Sequence, residues 1–348
     1  MNTTDMFELL ILCCVLVVKL ECSSCIIIEE DILPVTFKNV RLNLISQSTK
    51  TKNTLYIRSA ENLRDYIIGN RTDTVRINDQ IIPTLYGNSI TNIRNIAIFD
   101  LSRNQIQGIE EGAFGNLGLV QALNLSSNLI RVIRSNVFTN IDVKFLFLGH
   151  NRIFKIEAQA FTDSRKLYMI DLSYNRIRTW NWRWFRGTFP KSINMKHNFL
   201  EILPEDSFKF IDDLDIPDDQ RILHHLLFDH NEIHIIHRFC LPRLKKIIFF
   251  DLSYNFLETV LKGTFDSVDS INKLDLSHNR IFYLENTLFK NTRIGYVNLK
   301  NNYLVFINIQ WAPVLNLDFN PLDSESEKQW IQWKRSKGHL LTSPEYDS

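Results

Sequence analysis

Hydrophobic and polar positions follow a pattern along this chain that recurs at a spacing of 23 or 24 residues over most of its length. The unit reads L-x-x-L-x-L-x-x-N-x-[LI], and its clearest copies are IDLSYNRI at 170–177, FDLSYNFL at 250–257 and LDLSHNRI at 274–281. Side chains alternate along an extended segment, so the two apolar residues of L-x-L point to the same side. The pattern predicts one short parallel strand per unit, with the units stacked side by side.

An asparagine marks the end of each predicted strand and gives the register of the repeat. Successive asparagines are separated by 24, 23, 24, 23, 33, 24, 24, 23 and 18 residues, so one unit carries an insertion and the last is short. These asparagines are Asn104, Asn128, Asn151, Asn175, Asn198, Asn231, Asn255, Asn279, Asn302 and Asn320. With a degenerate first unit at VRINDQII, we count about eleven units. They occupy residues 54–322, with the insertion at 212–221.

A phenylalanine recurs ten residues after the asparagine and predicts an aromatic column inside the coils, opposite the strands. Its members are Phe114, Phe138, Phe161, Phe185, Phe208, Phe265 and Phe289, with Leu241 at one equivalent position. Cys240 falls one residue before the column, where other units carry small or apolar residues. We therefore expect a buried free thiol there; the alternatives are pairing with Cys25, or pairing of Cys25 with another chain.

This motif and its register resemble the extracellular leucine-rich-repeat proteins of animals, and are similar to Toll-type receptor ectodomains and secreted insect leucine-rich-repeat immune factors. The resemblance covers roughly residues 54–322. It implies an α/β leucine-rich-repeat solenoid, a horseshoe with a concave parallel β-sheet and a mostly irregular or short-helical convex side. It further implies a recognition protein, with a role in innate immunity.

The first residues are typical of a secreted protein. Residues 7–18, FELLILCCVLVV, form an apolar run of signal-peptide size, so residues 1–24 are predicted to be a signal peptide, with a retained anchor as the alternative. No later stretch is long and apolar enough to span a bilayer. We therefore expect a secreted, extracellular protein without stable membrane insertion.

Both ends of the repeat array are predicted to be capped. Residues 25–53 include the alternating stretch VRLNLIS, which predicts a hairpin or first strand as an N-terminal cap. Residues 323–348 predict a cap-like amphipathic helix and a polar tail, with Trp330 and Trp333 covering the last strand. The family's capping cysteines are missing here.

The composition supports a binding protein and gives no support for an enzyme. Apolar residues make up 45% of the chain, enough for a large core. The 40 basic and 39 acidic side chains nearly cancel, so the chain has no strong positive potential to attract nucleic acid. The sequence has no nucleophile elbow, phosphate loop, dinucleotide fingerprint, HExxH motif or cysteine zinc pattern. We therefore predict no catalytic residues, no cofactor and no metal.

The variable positions of the motif predict a ligand-binding patch on the concave face. In a solenoid these positions point outward from the sheet, where large apolar side chains are unusual unless they contact a partner. The predicted patch comprises Phe145, Phe147, Met169, Leu227, Phe249 and Tyr296. The alternative is lateral packing that only stiffens the sheet.

A second row, directly before the motif asparagine, is rich in aromatic residues. This edge row includes His150, Tyr174, His197, His230, Tyr254 and His278. The histidines suggest a metal site or a pH-tuned contact, but only His197 and His230 lie on adjacent strands, and Asp229 is expected to point from a different position. Solvated or stacked histidines are the alternative, and we predict no metal.

Two glycosylation sequons, at Asn70 and Asn124, fit the predicted secretory route. A glycan on Asn124 would lie on the concave face and direct binding toward the apolar patch. The insertion, DDLDIPDDQR, is predicted to protrude beside that face, either as a contact element or as a solvated acidic loop.

The first functional hypothesis is a secreted, non-enzymatic protein that binds an extracellular protein or microbial surface ligand on its concave face. The second is an adhesive or structural matrix protein that acts through homotypic contacts, which allows a homodimer. The measured molar mass would separate them, because a stable monomer disfavours self-adhesion.

Overall fold

A computed structural model of the chain describes residues 34–46, 48–67, 72–307 and 314–337. Within them thirteen strands form one sheet: β1 (Phe37–Ser46), β2 (Thr51–Ala60), β3 (Thr74–Arg76), β4 (Ile98–Asp100), β5 (Val120–Asn124), β6 (Val143–Phe147), β7 (Met169–Asp171), β8 (Ser192–Asn194), β9 (Ile222–Leu227), β10 (Lys246–Asp251), β11 (Ser270–Asp275), β12 (Arg293–Asn298) and β13 (Val314–Asn316). From β3 to β13 neighbours are consecutive and parallel, as the repeat predicts. The leucine-rich-repeat solenoid is therefore confirmed.

The opposite side of the coils carries only short elements. Four pairs of two-residue strands form parallel ladders there: Thr84–Leu85 with Gly108–Ile109, Ile90–Thr91 with Phe114–Gly115, Val132–Ile133 with Lys155–Ile156, and Ile202–Leu203 with Ile235–Ile236. Among the described residues the short 3-10 helices are Leu63–Tyr66, Trp182–Phe185, Lys209–Ile211 and Asp218–Gln220. The one α-helix of the described part is α1 (Ser324–Lys337). This matches the predicted irregular or short-helical side.

The stack of coils bends toward the sheet. On the phenylalanine side, the rings of Phe114, Phe138, Phe161 and Phe185 follow one another at 5.4–5.7 Å between centroids. Parallel strands are spaced by only about 4.8 Å. Because the coils lie further apart on the phenylalanine side, the sheet is the inner wall. We call its solvent-facing side the concave face.

The motif asparagines join each coil to the one before it. In Asn175 the side-chain amide donates hydrogen bonds to the carbonyls of Leu148, Leu172 and Ser173 at 3.0–3.1 Å, and its oxygen accepts from the backbone N–H of Ile153 at 2.9 Å. The same arrangement recurs in other units, for example at Asn255. The amide thus satisfies buried backbone groups where the chain leaves the strand, as expected from the repeat.

The N-terminal hairpin pairs with the first coil of the array. Strands β1 and β2 are antiparallel from Phe37↔Ala60 to Ser46↔Thr51, and β1 also pairs antiparallel with β3. The predicted alternating stretch lies in β1, and β2 continues past the predicted cap boundary at residue 53. The predicted signal peptide and Cys25 lie outside the described residues.

At the other end, α1 packs its tryptophans onto the array. Trp330 and Trp333 are buried, and their rings stack at 5.0 Å. The rest of the predicted polar tail, residues 338–348, lies outside the described part. Among the described residues, no helix combines the length and apolarity needed to cross a membrane.

Cys240 is a buried free thiol in the structure, as its register predicts. Burial raises its pKa to about 12, because the thiolate has no solvation in the core.

We therefore expect Cys240 to resist alkylation by iodoacetamide at pH 8 in the folded protein and to react fully in urea, since the thiolate is the reactive form. Mass spectrometry of the peptide that contains Cys240 measures this. Native labelling as fast as labelling in urea would show that the thiol is not in the core.

Candidate ligand-binding face of the sheet

The parallel register aligns equivalent side chains of successive coils into rows on the concave face. Phe145 lies between Ala122 and Met169, and Met169 is followed by Ser192 on the next strand. The row then continues through His225, Phe249, Lys273 and Tyr296. Most of these positions are half-buried, so they offer part of each side chain to a partner.

The predicted apolar patch is divided into two clusters. Phe145, Phe147 and Met169 lie on β6 and β7, whereas Leu227 and Phe249 lie on β9 and β10. Strand β8, which separates them, contributes Ser192 and Asn194. The predicted patch therefore consists of two apolar clusters separated by a polar strand.

Two side chains outside the predicted patch, Tyr168 and His224, connect the two clusters. The ring of Tyr168 meets the ring of Phe145 edge-on at 5.9 Å and that of His224 at 5.5 Å. The hydroxyl of Tyr168 and Nδ1 of His224 are 2.9 Å apart, within hydrogen-bond distance. Burial lowers the pKa of His224, with further lowering from the charges of His225 and Lys191. The imidazole of His224 is therefore neutral at neutral pH, which suits its partly buried contact with Tyr168.

Lysine side chains lie against the aromatic rings of the face. The ammonium of Lys144 is 5.3 Å from the ring centre of Phe145, and that of Lys273 is 4.8 Å from that of Phe249. Lys191 lies over Phe189 at 3.7 Å, and burial lowers the pKa of its ammonium to about 8. The aromatic clusters thus carry positive charge at their borders, which favours a partner with acidic groups around an apolar centre.

Tyr296 does not belong to the accessible surface. It lies between Lys273 on β11 and Val314 on β13, and only 7% of it is exposed. The short last unit brings β13 against it. We therefore leave Tyr296 out of the candidate surface, as a correction to the predicted patch.

The edge row forms a continuous stack of six rings. The centroids of His150, Tyr174, His197, His230, Tyr254 and His278 follow one another at 4.0–4.3 Å. Each of these residues has a positive φ of 51–54°, the turn that takes the chain out of its strand. The histidines of the edge row are therefore stacked on their neighbours, which is one of the arrangements expected from the sequence.

Asp229 lies closer to the edge row than the sequence suggested. Its Oδ2 is 3.0 Å from Nδ1 of His230, and ligand atoms of His197, Asp229 and His230 lie within 4.8 Å of one another. The expectation that Asp229 points elsewhere is therefore wrong, because the end of β9 turns its carboxylate toward the stack.

The acidic insertion is anchored to its surroundings through arginines. Arg221 pairs with Asp212 at 2.9 Å, and Arg243 of the next unit lies 3.4 Å from Asp218. The backbone carbonyl of Gln220 accepts a hydrogen bond from the Lys191 ammonium at 2.9 Å. These contacts hold the exposed insertion beside the concave face.

Of the two predicted glycosylation sites, Asn70 lies outside the described residues. Asn124 is half-buried on β5, where its amide donates to Asp100 at 3.2 Å and its oxygen accepts from the N–H of Ser126 at 3.0 Å. A glycan on Asn124 would have to replace the first of these contacts, and its use stays a prediction.

A family model for the leucine-rich repeat matches residues 94–153, 141–188 and 221–281. The chain is similar to CD180 antigen of Mus musculus, with 24% identity over 74% of this chain and 36% of that protein. It is also similar to keratocan of Coturnix japonica, with 25% identity over 71% of this chain and 72% of the relative. Tsukushi of Gallus gallus is 29% identical over 48% of this chain and 43% of its own length. The chain thus spans less than half the length of CD180 antigen and of Tsukushi.

Among solved structures, the chain is similar to Toll in the Toll–Spatzle complex of Drosophila. The match has a TM-score of 0.55 and 17% identity, and covers 67% of this chain and 34% of the Toll chain. At this identity the likeness concerns the fold, and it agrees with the solenoid described above.

Proposed function

We propose that this leucine-rich-repeat chain, similar to extracellular animal proteins of the same repeat class, is a non-enzymatic recognition protein of the extracellular space that binds a protein ligand on its concave face. The observation that carries the proposal is the aromatic surface formed by the Phe145 and Phe249 clusters and the Tyr168–His224 bridge. Partly exposed aromatic groups on a rigid sheet are typical of the anchors of protein interfaces. Their lysine borders favour an acidic partner.

The edge row belongs to the same proposed interface. Its six stacked rings run along one border of the concave face, where Tyr174 and Tyr254 are each nearly half exposed. A microbial surface ligand is the second kind of partner that such a face could bind. The resemblance to Toll-type ectodomains suggests that this recognition serves innate immunity.

The test is capture from extracellular fluid of the source organism, with the purified chain immobilised and bound proteins identified by mass spectrometry. We expect Phe145→Asp with Phe249→Asp to weaken binding of the captured protein at least tenfold, because two anchors become charged. Unfolding and secretion should stay nearly unchanged, since both side chains are only partly buried.

The matched control is Phe154→Asp, which changes a phenylalanine on the outer surface that is 54% exposed. Its binding should equal that of the unmodified chain. Equal affinity of the double variant and the control would place the interface elsewhere.

The alternative is an adhesive or structural matrix protein that acts through homotypic contacts. Four large side chains on consecutive coils favour it, because each is more than half exposed: Phe282, Tyr283, Tyr303 and Phe306. Exposed apolar groups of this size mark interaction surfaces when they are contiguous. Light scattering tests this function: a dimer that dissociates on Phe306→Asp supports it, and a concentration-independent monomer excludes it.

A further inference from the structure

We propose that His197, Asp229 and His230 form a binding site for a divalent transition-metal ion of the Zn²⁺ type. The three residues lie at the ends of β8 and β9, and one ligand atom from each falls within 4.8 Å of the others. Two imidazoles and a carboxylate are a ligand set that Zn²⁺ accepts, with a fourth position left for water or another ligand.

The repeat shows why the site forms at this coil and not at its neighbours. The position of Asp229 is filled in the surrounding units by Gly149, Ser173, Lys196, Ser253, Ser277 and Lys300. The only other carboxylate at this motif position is Asp318 in the last unit, where Phe319 follows in place of a histidine. In the six-ring stack, His197 and His230 are also the only two histidines in direct contact, because tyrosines separate the others. Within the described residues no other group of three such ligands comes together.

The carboxylate of Asp229 has unused capacity for a cation. Asp229 is only 5% exposed, and its Oδ1 accepts no hydrogen bond. The Lys196 ammonium lies 3.4 Å from this oxygen, which is an ion pair without hydrogen-bond geometry. A buried carboxylate oxygen without a donor is costly, so a metal ion that binds it offsets that cost. Lys196 is then the competing cation.

The two imidazoles of the proposed site are in direct contact, with ring centroids 4.2 Å apart. The planes of His197 and His230 are inclined by 26°, whereas the histidine–tyrosine pairs of the stack are inclined by 8–18°. The pair His197–His230 therefore departs furthest from the parallel stacking of the row.

Titration of the untagged chain with ZnCl₂, followed by calorimetry, tests the proposal. We expect one saturable site, at least tenfold weaker in His197→Gln, His230→Gln and Asp229→Asn, because each substitution removes one of three ligands. Lys196→Met should bind more tightly, because it removes the competing ammonium. His150→Gln is the matched control, since His150 stacks in the same row beside Gly149, and should bind as the unmodified chain does.

Co²⁺ added to the unmodified chain gives a second readout that needs no variant, namely visible absorption from an ion with nitrogen and oxygen ligands. Absence of both Zn²⁺ uptake and this absorption would overturn the proposal. So would a loss in His150→Gln equal to that in His230→Gln, which would indicate general surface binding by histidines. Circular dichroism of each metal-free variant checks the fold.

Discussion

Replacing Asn175 by alanine is expected to destabilise the protein by about 4 kcal/mol, because several buried backbone groups lose their partners together and each costs roughly 1–3 kcal/mol. The asparagine serves four such groups: three carbonyls and the N–H of Ile153. They belong to two adjacent coils, so the loss weakens both a coil and its interface, the two terms that determine solenoid stability. Urea unfolding measures the change, and hydrogen exchange should show reduced protection of the Ile153 amide.

Two comparisons distinguish hydrogen bonding from side-chain volume. Asn175→Asp keeps the size of the side chain but places an acceptor against three carbonyl oxygens, so it should destabilise the protein at least as much as alanine does. Asn194→Ala removes an asparagine whose oxygen accepts from one backbone N–H, that of Lys196 at 3.1 Å. It should cost below about 1.5 kcal/mol. Equal losses at Asn175 and Asn194 would contradict the bridging role of the motif asparagine.

The sequence predicts those parts of the molecule that depend on neighbouring coils in identical register. The asparagine row, the phenylalanine column and the burial of Cys240 all follow from counting along the repeat, because each coil repeats the environment of the last. The contact of His197 with His230 follows in the same way, despite the insertion between them. A regular repeat therefore predicts contacts between residues on adjacent strands.

The repeat does not predict contacts that span an intervening strand or contacts that depend on a side-chain rotamer. Tyr168 reaches His224 past β8 because Lys191, the equivalent residue between them, directs its ammonium to Gln220 in the insertion. The approach of Asp229 to His230 depends likewise on the local turn after β9. These features change the candidate surface and create the proposed metal site, and they depend on local side-chain conformations that the repeat does not determine.

The phenylalanine column and the concave aromatic residues have the same chemistry but opposite expected effects. A ring in the column is surrounded by protein on all sides, so its removal leaves a cavity that the neighbouring coils cannot close. A ring on the concave face already contacts water, so its removal changes recognition more than stability. The sequence register alone separates the two classes.

Phe161→Ala is accordingly expected to cost about 3–5 kcal/mol, the range for a fully buried phenylalanine. Phe161 is fully buried and stacks on Phe138 at 5.7 Å and on Phe185 at 5.4 Å, so the substitution interrupts the column at both interfaces. The denaturant midpoint measures the loss. Phe154→Ala, in the same unit but on the outer surface, should change stability by less than about 0.5 kcal/mol.

Phe161→Leu separates burial from ring stacking. Leu241 occupies the equivalent position of another coil and is buried there, so the column accommodates leucine without opening a large cavity. We expect a loss of about 1–1.5 kcal/mol, the usual cost of a core substitution that approximately conserves volume. A loss as large as that of Phe161→Ala would show that the aromatic contacts themselves, and not the buried volume, hold these coils together.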